Sequence, residues 1–498
     1  MSDLFISRDK AESDLLYAAA FIGERINSAD GRSTAMLAVV PRLSKRGEVD
    51  LAAELANAVV DPFSRDKLLT SVAEACASID DDEYALQLAD AVDDEGLRLD
   101  ALERIALIKV EKGEAEAANG LAGQLLHPDR VQAASAVKAA ADGNIHETMK
   151  DVAAISFPSS RVWALRAIAS ARVEAGETDA ALKCLEQALI DAEEIEHDEE
   201  RITSICEIGN VLVQAGRNDL AVKAFAAARE HTSALDNIHR DHLFSGCALG
   251  FIYAGDEDLA DETLDLITDK TQIASTLVGF ARDEWRRDQK EQAVETLDDA
   301  YQVLCSQREI ETRDTRAKNA LMSSVAVQYA GFAVPEKDLQ AAEEITDPSE
   351  RDSALSQIAQ ILSTQNAGEL AQNALERIAE PFVRLETIIA MSDAKLRSND
   401  DESAADLLAS AAEQIGSLPQ ATSRSHFLNE VAARYFARGR ADAAREAALQ
   451  NLAVIADVRD ESSQASLIAD LSDLYGEDGL EFGDGEREAV ARSMQKFA

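Results

Sequence analysis

Cysteine, proline and aromatic residues are scarce in this chain of 498 residues. The five cysteines are odd in number, scattered and without a CxxC pair, which argues against a disulfide framework. Eight prolines and 23 glycines are few for this length and argue against an all-β fold. Aromatic residues make up only 5% of the chain, so its apolar residues are mainly Ala, Leu, Ile and Val. This composition suits closely packed helices.

Positive charge is also scarce. Lysine and arginine total 49 against 93 acidic residues, which gives a net charge of -44. Such a surface repels phosphates and anionic lipids, so we expect neither a nucleic-acid nor a membrane partner. The N-terminus has no apolar stretch of signal-peptide type, and no apolar run approaches the length of a membrane span. These observations predict no membrane insertion and a cytoplasmic location.

An arginine followed 15 residues later by a glycine recurs along the chain. The pairs are Arg32/Gly47, Arg98/Gly113, Arg161/Gly176, Arg201/Gly216, Arg240/Gly255, Arg316/Gly331 and Arg424/Gly439. In most of them an alanine follows five residues after the glycine, at Ala52, Ala118, Ala181, Ala221, Ala260 and Ala444. A fixed register of this kind indicates one helix-turn-helix unit copied end to end.

The unit from Arg161 to Glu194 illustrates the prediction. Apolar residues at helical spacing come before and after a break at Gly176, where a positive φ angle ends the first helix. Asp80, Asn366 and Asn399 take the place of the glycine in other units. We count about twelve hairpins and expect the first helix near Thr271–Ala300 to be one turn longer, ending around Asp288. Each recurrent arginine is expected to contact the acidic end of the previous hairpin, where its guanidinium can bind carboxylates or helix-end carbonyls.

The pattern resembles the tetratricopeptide repeat (TPR) family. Gly176, Ala181 and Ala188 fall at the turn glycine and the two second-helix alanines of that family, and Gly216, Ala221 and Ala228 repeat the match. The chain departs from the family because the first-helix tryptophan and the closing proline are mostly missing and several units exceed 34 residues. The resemblance implies an all-α, right-handed solenoid whose first helices line a concave groove. HEAT-like arrays, including those similar to bilin lyases, stay open as an alternative.

Three segments follow from this interpretation. Residues 1–30 are predicted to be an N-terminal capping helix, residues 31–475 the repeat array, and residues 476–498 a C-terminal loop and capping helix. Polar caps at both ends are typical of solenoids.

Motifs of catalysis and of cofactor binding are not found in the sequence, so we expect no enzyme activity, no cofactor and no metal site. His239 and His242 stand three residues apart near His231, but one such pair is a weak metal signal. The acidic run from Asp191 to Glu200 is interpreted as a solvated face, since it lacks the spacing of a calcium loop.

The predicted function is that of a non-catalytic scaffold, which binds a peptide or protein in the groove. Aromatic and cationic residues concentrate at groove positions of the central units, and such groups anchor binding surfaces. We therefore expect an acidic or aromatic partner. A structural or self-associating solenoid is the alternative, followed by a helical-repeat enzyme. The groove candidates are Trp163, Arg166, Asn210, Gln214, His242, Tyr253, Arg282, Trp285, Arg286, Lys318, Gln328 and Tyr329.

Overall fold

The protein is all-α in the computed structural model, which describes residues 4–141, 145–306, 312–334, 336–365, 367–476 and 478–497. These residues form twenty-eight α-helices, followed here in chain order. The first fourteen are α1 Arg8–Ala11, α2 Leu15–Arg25, α3 Ala29–Lys45, α4 Val49–Asn57, α5 Pro62–Ser78, α6 Asp82–Asp90, α7 Glu95–Glu111, α8 Ala115–Ala122, α9 Asp129–Ala141, α10 Ile145–Ala153, α11 Pro158–Glu174, α12 Thr178–Ala192, α13 Asp198–Gln214 and α14 Asn218–Ser233. The others are α15 Arg240–Ala254, α16 Glu257–Leu264, α17 Lys270–Arg286, α18 Lys290–Cys305, α19 Thr312–Gly331, α20 Lys337–Glu343, α21 Pro348–Thr364, α22 Gly368–Arg377, α23 Pro381–Arg397, α24 Asp401–Gln414, α25 Ala421–Ala437, α26 Ala441–Ala456, α27 Glu461–Ser472 and α28 Asp484–Ser493.

Helices α3 to α26 pair into twelve consecutive hairpins, as the register predicts, and the fold is an α-solenoid of TPR-like hairpins. Most first helices are 17 residues long, and α17 is one of them. The expected extra turn near Thr271–Ala300 is therefore wrong: α17 ends at Arg286, and Asp288 is the turn residue with φ 64°. The longest first helix is instead α19, with 20 residues.

A left-handed residue ends the first helix of most hairpins. Gly176 has φ 78°, its N–H donates to Val173 O at 2.9 Å, and the Glu177 N–H donates to Arg172 O at 2.8 Å. This pair of hydrogen bonds is the Schellman motif, which satisfies carbonyls that a helix end leaves unpaired. Positive φ also occurs at the predicted turn positions Gly47, Asp80, Gly113, Gly216, Gly255, Asn399 and Gly439. Asn366 lies outside the described residues.

The pair Arg316/Gly331 does not mark a turn. Gly331 is the last residue of α19, and the left-handed residue is Ala333, with φ 53°. The Val334 N–H donates to Tyr329 O at 3.1 Å, so the same hydrogen-bond pattern lies two residues further along the chain. Register positions in α19 therefore shift by two, and Lys318 rather than Arg316 takes the place of the recurrent arginine.

Four of the arginines near the start of first helices bind carbonyl oxygens at the end of the previous hairpin. Arg161 Nη1 donates to Ile155 O at 3.1 Å, and Arg201 Nη1 donates to Ile195 O at 3.1 Å. Arg32 and Arg384 donate in the same way to the carbonyl six residues before them. A cation at a helix C-terminus also complements the helix dipole. Arg65 differs, since it pairs with Asp66 and Asp93.

A second periodic contact was not predicted from the sequence. Asp66 is 1% exposed and accepts hydrogen bonds from the backbone N–H groups of Asp93 at 3.0 Å and Asp94 at 2.8 Å. The two donors follow Asp66 by 27 and 28 residues. These hydrogen bonds therefore connect the start of one first helix with the start of the next. The same link starts from Asp129, Asp241 and Asp352, and Asn319 makes the 27-residue half of it.

The helices group into two compact units, Met1–Leu126 with Ile388–Ala498, and His127–Thr387. In the first unit α2 and α3 pack against α27. Arg42 Nη2 lies 2.9 Å from Asp470 Oδ1 and 3.0 Å from Asp473 Oδ2, and Arg46 Nη2 donates to Ser472 O at 3.2 Å. The capping role assigned to both ends stays a prediction, as do the segment boundaries and the handedness of the array.

Alanines line the contact between the helices. The six alanines that follow the turn glycines by five residues are all 0% exposed. Because alanine is the smallest helix-forming residue, the second helix of each hairpin approaches its neighbours closely. In the part of the chain that the structure describes, no helix has the length and apolarity needed to cross a bilayer.

Candidate functional site

The candidate site lies on the first helices of the unit His127–Thr387. Helices α11, α13, α15, α17 and α19 pack in succession, each against the next. We call the exposed side of α11, α13, α15 and α17 the first-helix row. Each second helix packs mainly on the first helix of its own hairpin, so the row stays accessible. Two clefts open along it.

The Trp163 cleft lies between α11 and α13 and encloses about 440 Å³. Trp163 is 46% exposed, although large apolar side chains usually lie inside a fold. Arg166 also lines this cleft and forms an ion pair with Glu207 across it. Glu199 and Glu200, on the first turn of α13, complete the acidic side of the cleft. The cleft therefore carries three carboxylates against one guanidinium.

The Tyr253 cleft lies further along the row and encloses about 400 Å³. It brings together four predicted residues, namely Asn210, Gln214, Tyr253 and Arg286. The Arg286 guanidinium lies 5.6 Å from the centre of the Tyr253 ring, and its Nη2 lies 3.0 Å from Asp283 Oδ1. Cation–π contact and ion pairing thus hold Arg286 at the rim.

Two other predicted residues make contacts between hairpins. Trp285 is half-buried and stacks on Phe332, with ring centres 4.3 Å apart and planes at 14°. Arg282 donates from Nε to Gln328 Oε1 at 2.7 Å and from Nη2 to Ser324 Oγ at 3.1 Å. These contacts join α17 to α19, and neither residue lines the two clefts of the row.

The prediction that Tyr329 faces the groove is wrong. Its side chain is 2% exposed, and its hydroxyl donates to Asp298 Oδ1 at 2.6 Å. Burial, together with the hydrogen bond to Asp298, raises the pKa of Tyr329 well above its ordinary value. The reason is the two-residue register shift in α19, which moves Tyr329 from a groove position into the core. Lys318 is half-buried near the start of that helix.

The histidines of this region lie on α14, at the start of α15 and on α15. His242 is exposed on α15, His239 Nε2 lies 4.0 Å from Glu199 Oε1, and His231 Nε2 lies 3.2 Å from Glu193 Oε1. Across the described ranges, His, Cys, Asp and Glu side chains do not gather in threes at metal-binding geometry. His231 and His239 thus contact acidic side chains of the preceding hairpin.

A third cleft, of about 580 Å³, lies between α10, α11 and α12. Its Arg161 contacts Asp191, with Nε 3.3 Å from Oδ2, and Glu194, and it holds the Ile155 carbonyl at the same time. Arg161 is thus fully engaged in joining two hairpins. The charged residues of this cleft are therefore explained by contacts between hairpins.

Two cysteines on neighbouring first helices lie close together. Cys206 Sγ on α13 is 3.8 Å from Cys247 Sγ on α15. The contact between the two thiols, together with burial, raises the pKa of Cys206 above its ordinary value. A raised pKa lowers the thiolate fraction and hence the reactivity of a cysteine. Cys206 therefore has a low reactivity at neutral pH, and Cys247 is 0% exposed.

The carboxylates whose pKa is raised by burial do not line any of the three clefts described above. Burial raises the pKa of Glu24, Asp261, Glu284, Asp338 and Asp470, and these five residues lie on α2, α16, α17, α20 and α27. An acid–base pair needs two such groups in one cleft, within reach of the same substrate.

Glu199 and Glu200 are the cleft residues that the sequence reasoning missed. They belong to a run that was interpreted as a solvated face. Aligning Arg161 with Arg201 places Trp163 beside the start of the next first helix, where both glutamates lie. Aligning neighbouring repeats would therefore have predicted the two glutamates as cleft residues.

Comparison with known proteins adds little to this picture. The sequence matches no protein-family model and no curated protein. Among solved structures, Ton1535 from Thermococcus onnurineus NA1 is 17% identical over 72% of this chain and 98% of its own, with a TM-score of 0.26. A STAND protein with a tetratricopeptide repeat sensor, PH0952 from Pyrococcus horikoshii, is 10% identical over 80% of this chain and 67% of its own, with a TM-score of 0.26.

A human IFIT1 dimer with PPP-AAAA is 14% identical over 82% of this chain and 96% of its own, with a TM-score of 0.27. TM-scores this low leave the fold assignment resting on the helices, turns and small residues described above. By those features the chain is a divergent, TPR-like helical repeat protein.

Proposed function

We propose that this protein is a non-catalytic scaffold that binds a peptide or protein partner along the first-helix row. The observation that carries the proposal is the position of Trp163 and Tyr253. Each aromatic ring lies in a cleft between neighbouring first helices, and both clefts lie on the same row. Aromatic side chains in clefts are the usual anchors of protein interfaces.

The expected acidic partner is not retained in this proposal. Arg166 pairs with Glu207, Arg286 pairs with Asp283, and Arg282 binds Gln328 and Ser324. The guanidinium groups that suggested an acidic ligand are thus engaged within the protein. The net charge of -44 still disfavours a nucleic-acid partner, and this exclusion, like the cytoplasmic location, stays a prediction.

Site-specific photocrosslinking in cells tests the proposal. Benzoylphenylalanine is placed at Ser159 in the Trp163 cleft, at Gln214 in the Tyr253 cleft, or at Ile190 on the second helix α12 as the control. Ile190 is 60% exposed, so the probe is accessible there too. We expect adducts with one partner from both cleft positions and from neither the control nor a Trp163→Ala/Tyr253→Ala background.

The other outcomes point elsewhere. Adducts from Ile190 alone place the partner on the second helices and contradict the proposal. Adducts that consist of two copies of this chain support the self-associating solenoid instead. Matched thermal melts of all variants exclude loss of folding as the cause of a lost adduct.

A further inference from the structure

The Trp163 cleft combines an exposed indole with an excess of negative charge. We infer that it binds an arginine or lysine side chain of the protein partner, an inference that rests on the proposed function. The cleft of about 440 Å³ falls within the range of about 300–1,000 Å³ that small-ligand sites occupy. A single basic side chain fits into it together with the backbone that carries it.

The charge of the cleft is not neutralised within the protein. Arg166 is engaged by Glu207, which leaves Glu199 and Glu200 on the opposite side. Glu199 accepts a hydrogen bond from Asn237 Nδ2 at 3.1 Å, and its Oε1 lies 4.0 Å from His239 Nε2. No described residue forms an ion pair with Glu200. Among the described residues, no arginine or lysine pairs with Glu199 or Glu200, so an incoming cation meets two carboxylates whose one basic neighbour is His239.

Stabilisation of the helix start does not account for both glutamates. Acidic residues on a first turn complement the helix dipole, and Asp198 already occupies the first position of α13. Asp198 in turn pairs with Arg201, so its charge is shared. Glu199 and Glu200 add negative charge beyond the helix start, on the turn that faces Trp163.

The indole supplies the second half of the site. Trp163 is 46% exposed within the cleft and is not covered by a cation, unlike Tyr253 beside Arg286. A guanidinium or ammonium group over an indole face gains cation–π attraction, and tryptophan is the best ring for it. Carboxylates beside an aromatic face bind a basic side chain in preference to an acidic or neutral one.

Tryptophan fluorescence offers a direct measurement. The chain has two tryptophans, so a Trp285→Phe variant leaves Trp163 as the single reporter. It is titrated with tetra-arginine amide, and with tetra-citrulline amide as the uncharged analogue of the same shape, at about 0.15 M salt to screen long-range attraction. We expect a saturable change in Trp163 emission with tetra-arginine and none with tetra-citrulline.

A matched pair of variants separates the cleft from the general acidity of the protein. Glu199→Gln/Glu200→Gln is expected to weaken tetra-arginine binding about fivefold to tenfold, as for two exposed charge pairs. Glu186→Gln/Glu230→Gln removes the same charge from exposed positions on α12 and α14 and is expected to leave the affinity within about twofold. Equal weakening by both pairs, or equal binding of tetra-citrulline, overturns the inference.

Failure of this inference is distinguishable from failure of the proposed function. If the Ser159 crosslink to the partner persists in Glu199→Gln/Glu200→Gln but is lost in Trp163→Ala/Tyr253→Ala, the first-helix row binds the partner without a basic side chain. If neither variant changes the Ser159 crosslink, the partner contacts the row without using Trp163, Tyr253 or the two glutamates, which contradicts both the anchoring role of the aromatic residues and this inference.

Discussion

Phe225 shows how single residues set the spacing of neighbouring hairpins. Its ring is 0% exposed on α14 and lies against Gly209 on α13 and Gly250 on α15. A Cβ atom at Gly209 would lie 2.5 Å from the ring, and one at Gly250 would lie 2.3 Å from it. The ring therefore fills a slot that only two glycines leave open.

Gly250→Ala is expected to destabilise the protein by about 1–3 kcal/mol, as overpacking of a core does. Phe225→Leu in the same chain makes room for the added methyl group, so the double variant should be more stable than the sum of the single changes predicts. Urea unfolding of the four proteins measures the coupling. If the changes in unfolding free energy of the two single variants simply add in the double variant, the Phe225 ring does not limit the space at Gly250.

Asp66 links stability to pH. Burial opposes its ionisation, but the N–H of Asp94, the Arg65 guanidinium and the N–H of Asp93 outweigh burial and lower the pKa of Asp66 below its ordinary value. A carboxylate with a lowered folded-state pKa stabilises the fold above its unfolded pKa of about 3.9. This stabilisation is lost as the pH falls through the folded-state pKa.

Asp66→Asn is therefore expected to reduce the unfolding free energy at pH 7, and the difference from wild type should shrink at about pH 3, where the unfolded carboxylate is protonated. Asn319, which accepts from the Thr346 N–H at 3.2 Å, shows that an amide fits this position. Asp90→Asn, at an exposed position, serves as the control. A pH-independent difference would mean that the charge of Asp66 does not matter.

At the scale of the element, the hairpin turn depends on backbone conformation. The space around Gly176 is open, since a Cβ there would meet no atom within 4 Å. The loss of stability on substitution of Gly176 therefore comes from its φ angle of 78° alone. Gly246, inside α15, is equally open but has an ordinary helical φ.

Gly176→Ala is expected to lower the free energy of unfolding by about 1 kcal/mol, because a side chain disfavours positive φ. Gly246→Ala should instead raise it by about 0.5–1 kcal/mol, because alanine favours the helix. Both changes add one methyl group within the unit His127–Thr387, so calorimetry of the two variants isolates the backbone effect. A similar loss in both would contradict the assignment.

The sequence predicted the hairpins because each one repeats the same turn chemistry. It misplaced the turn after α19, since Gly331 occurs 15 residues after Arg316 but the chain turns at Ala333. The missing alanine five residues after Gly331, where Glu336 stands, was the warning. A glycine permits a positive φ without requiring it, so sequence alone does not decide which residue takes the turn.

At the scale of the whole molecule, the acidic excess governs the response to salt. The chain carries a net charge of -44, and like charges repel more strongly in the compact state. Salt screens this repulsion, with a Debye length of about 30 Å at 0.01 M and 3 Å at 1 M. The melting temperature is therefore expected to rise from low to high sodium chloride.

Calorimetry over that range measures the effect, and sucrose, which stabilises proteins without screening charge, is the control. A melting temperature that does not change with salt would show that the local ion pairs already offset the repulsion.

The charge pattern of the site was harder to predict than the fold. Trp163 was identified as a groove residue from its register position. The charge around it depends on Glu199 and Glu200, which belong to the next hairpin. Arg166, Arg282 and Arg286 suggested an acidic ligand until their partners were seen. Whether a cation is free depends on tertiary contacts, which a single helix pattern does not contain.

The packing of α2 and α3 on α27 has a consequence for the order of folding. Arg42 and Asp473 are 431 residues apart in sequence. At synthesis rates of about 5–20 residues per second, α27 is synthesised roughly 20–90 s after α2 and α3. Helix α2, whose Leu15 and Leu16 are 0% exposed in the finished protein, lacks α27 throughout that interval. The side of α2 that packs on α27 is therefore accessible to chaperones on the nascent chain until α27 leaves the ribosome.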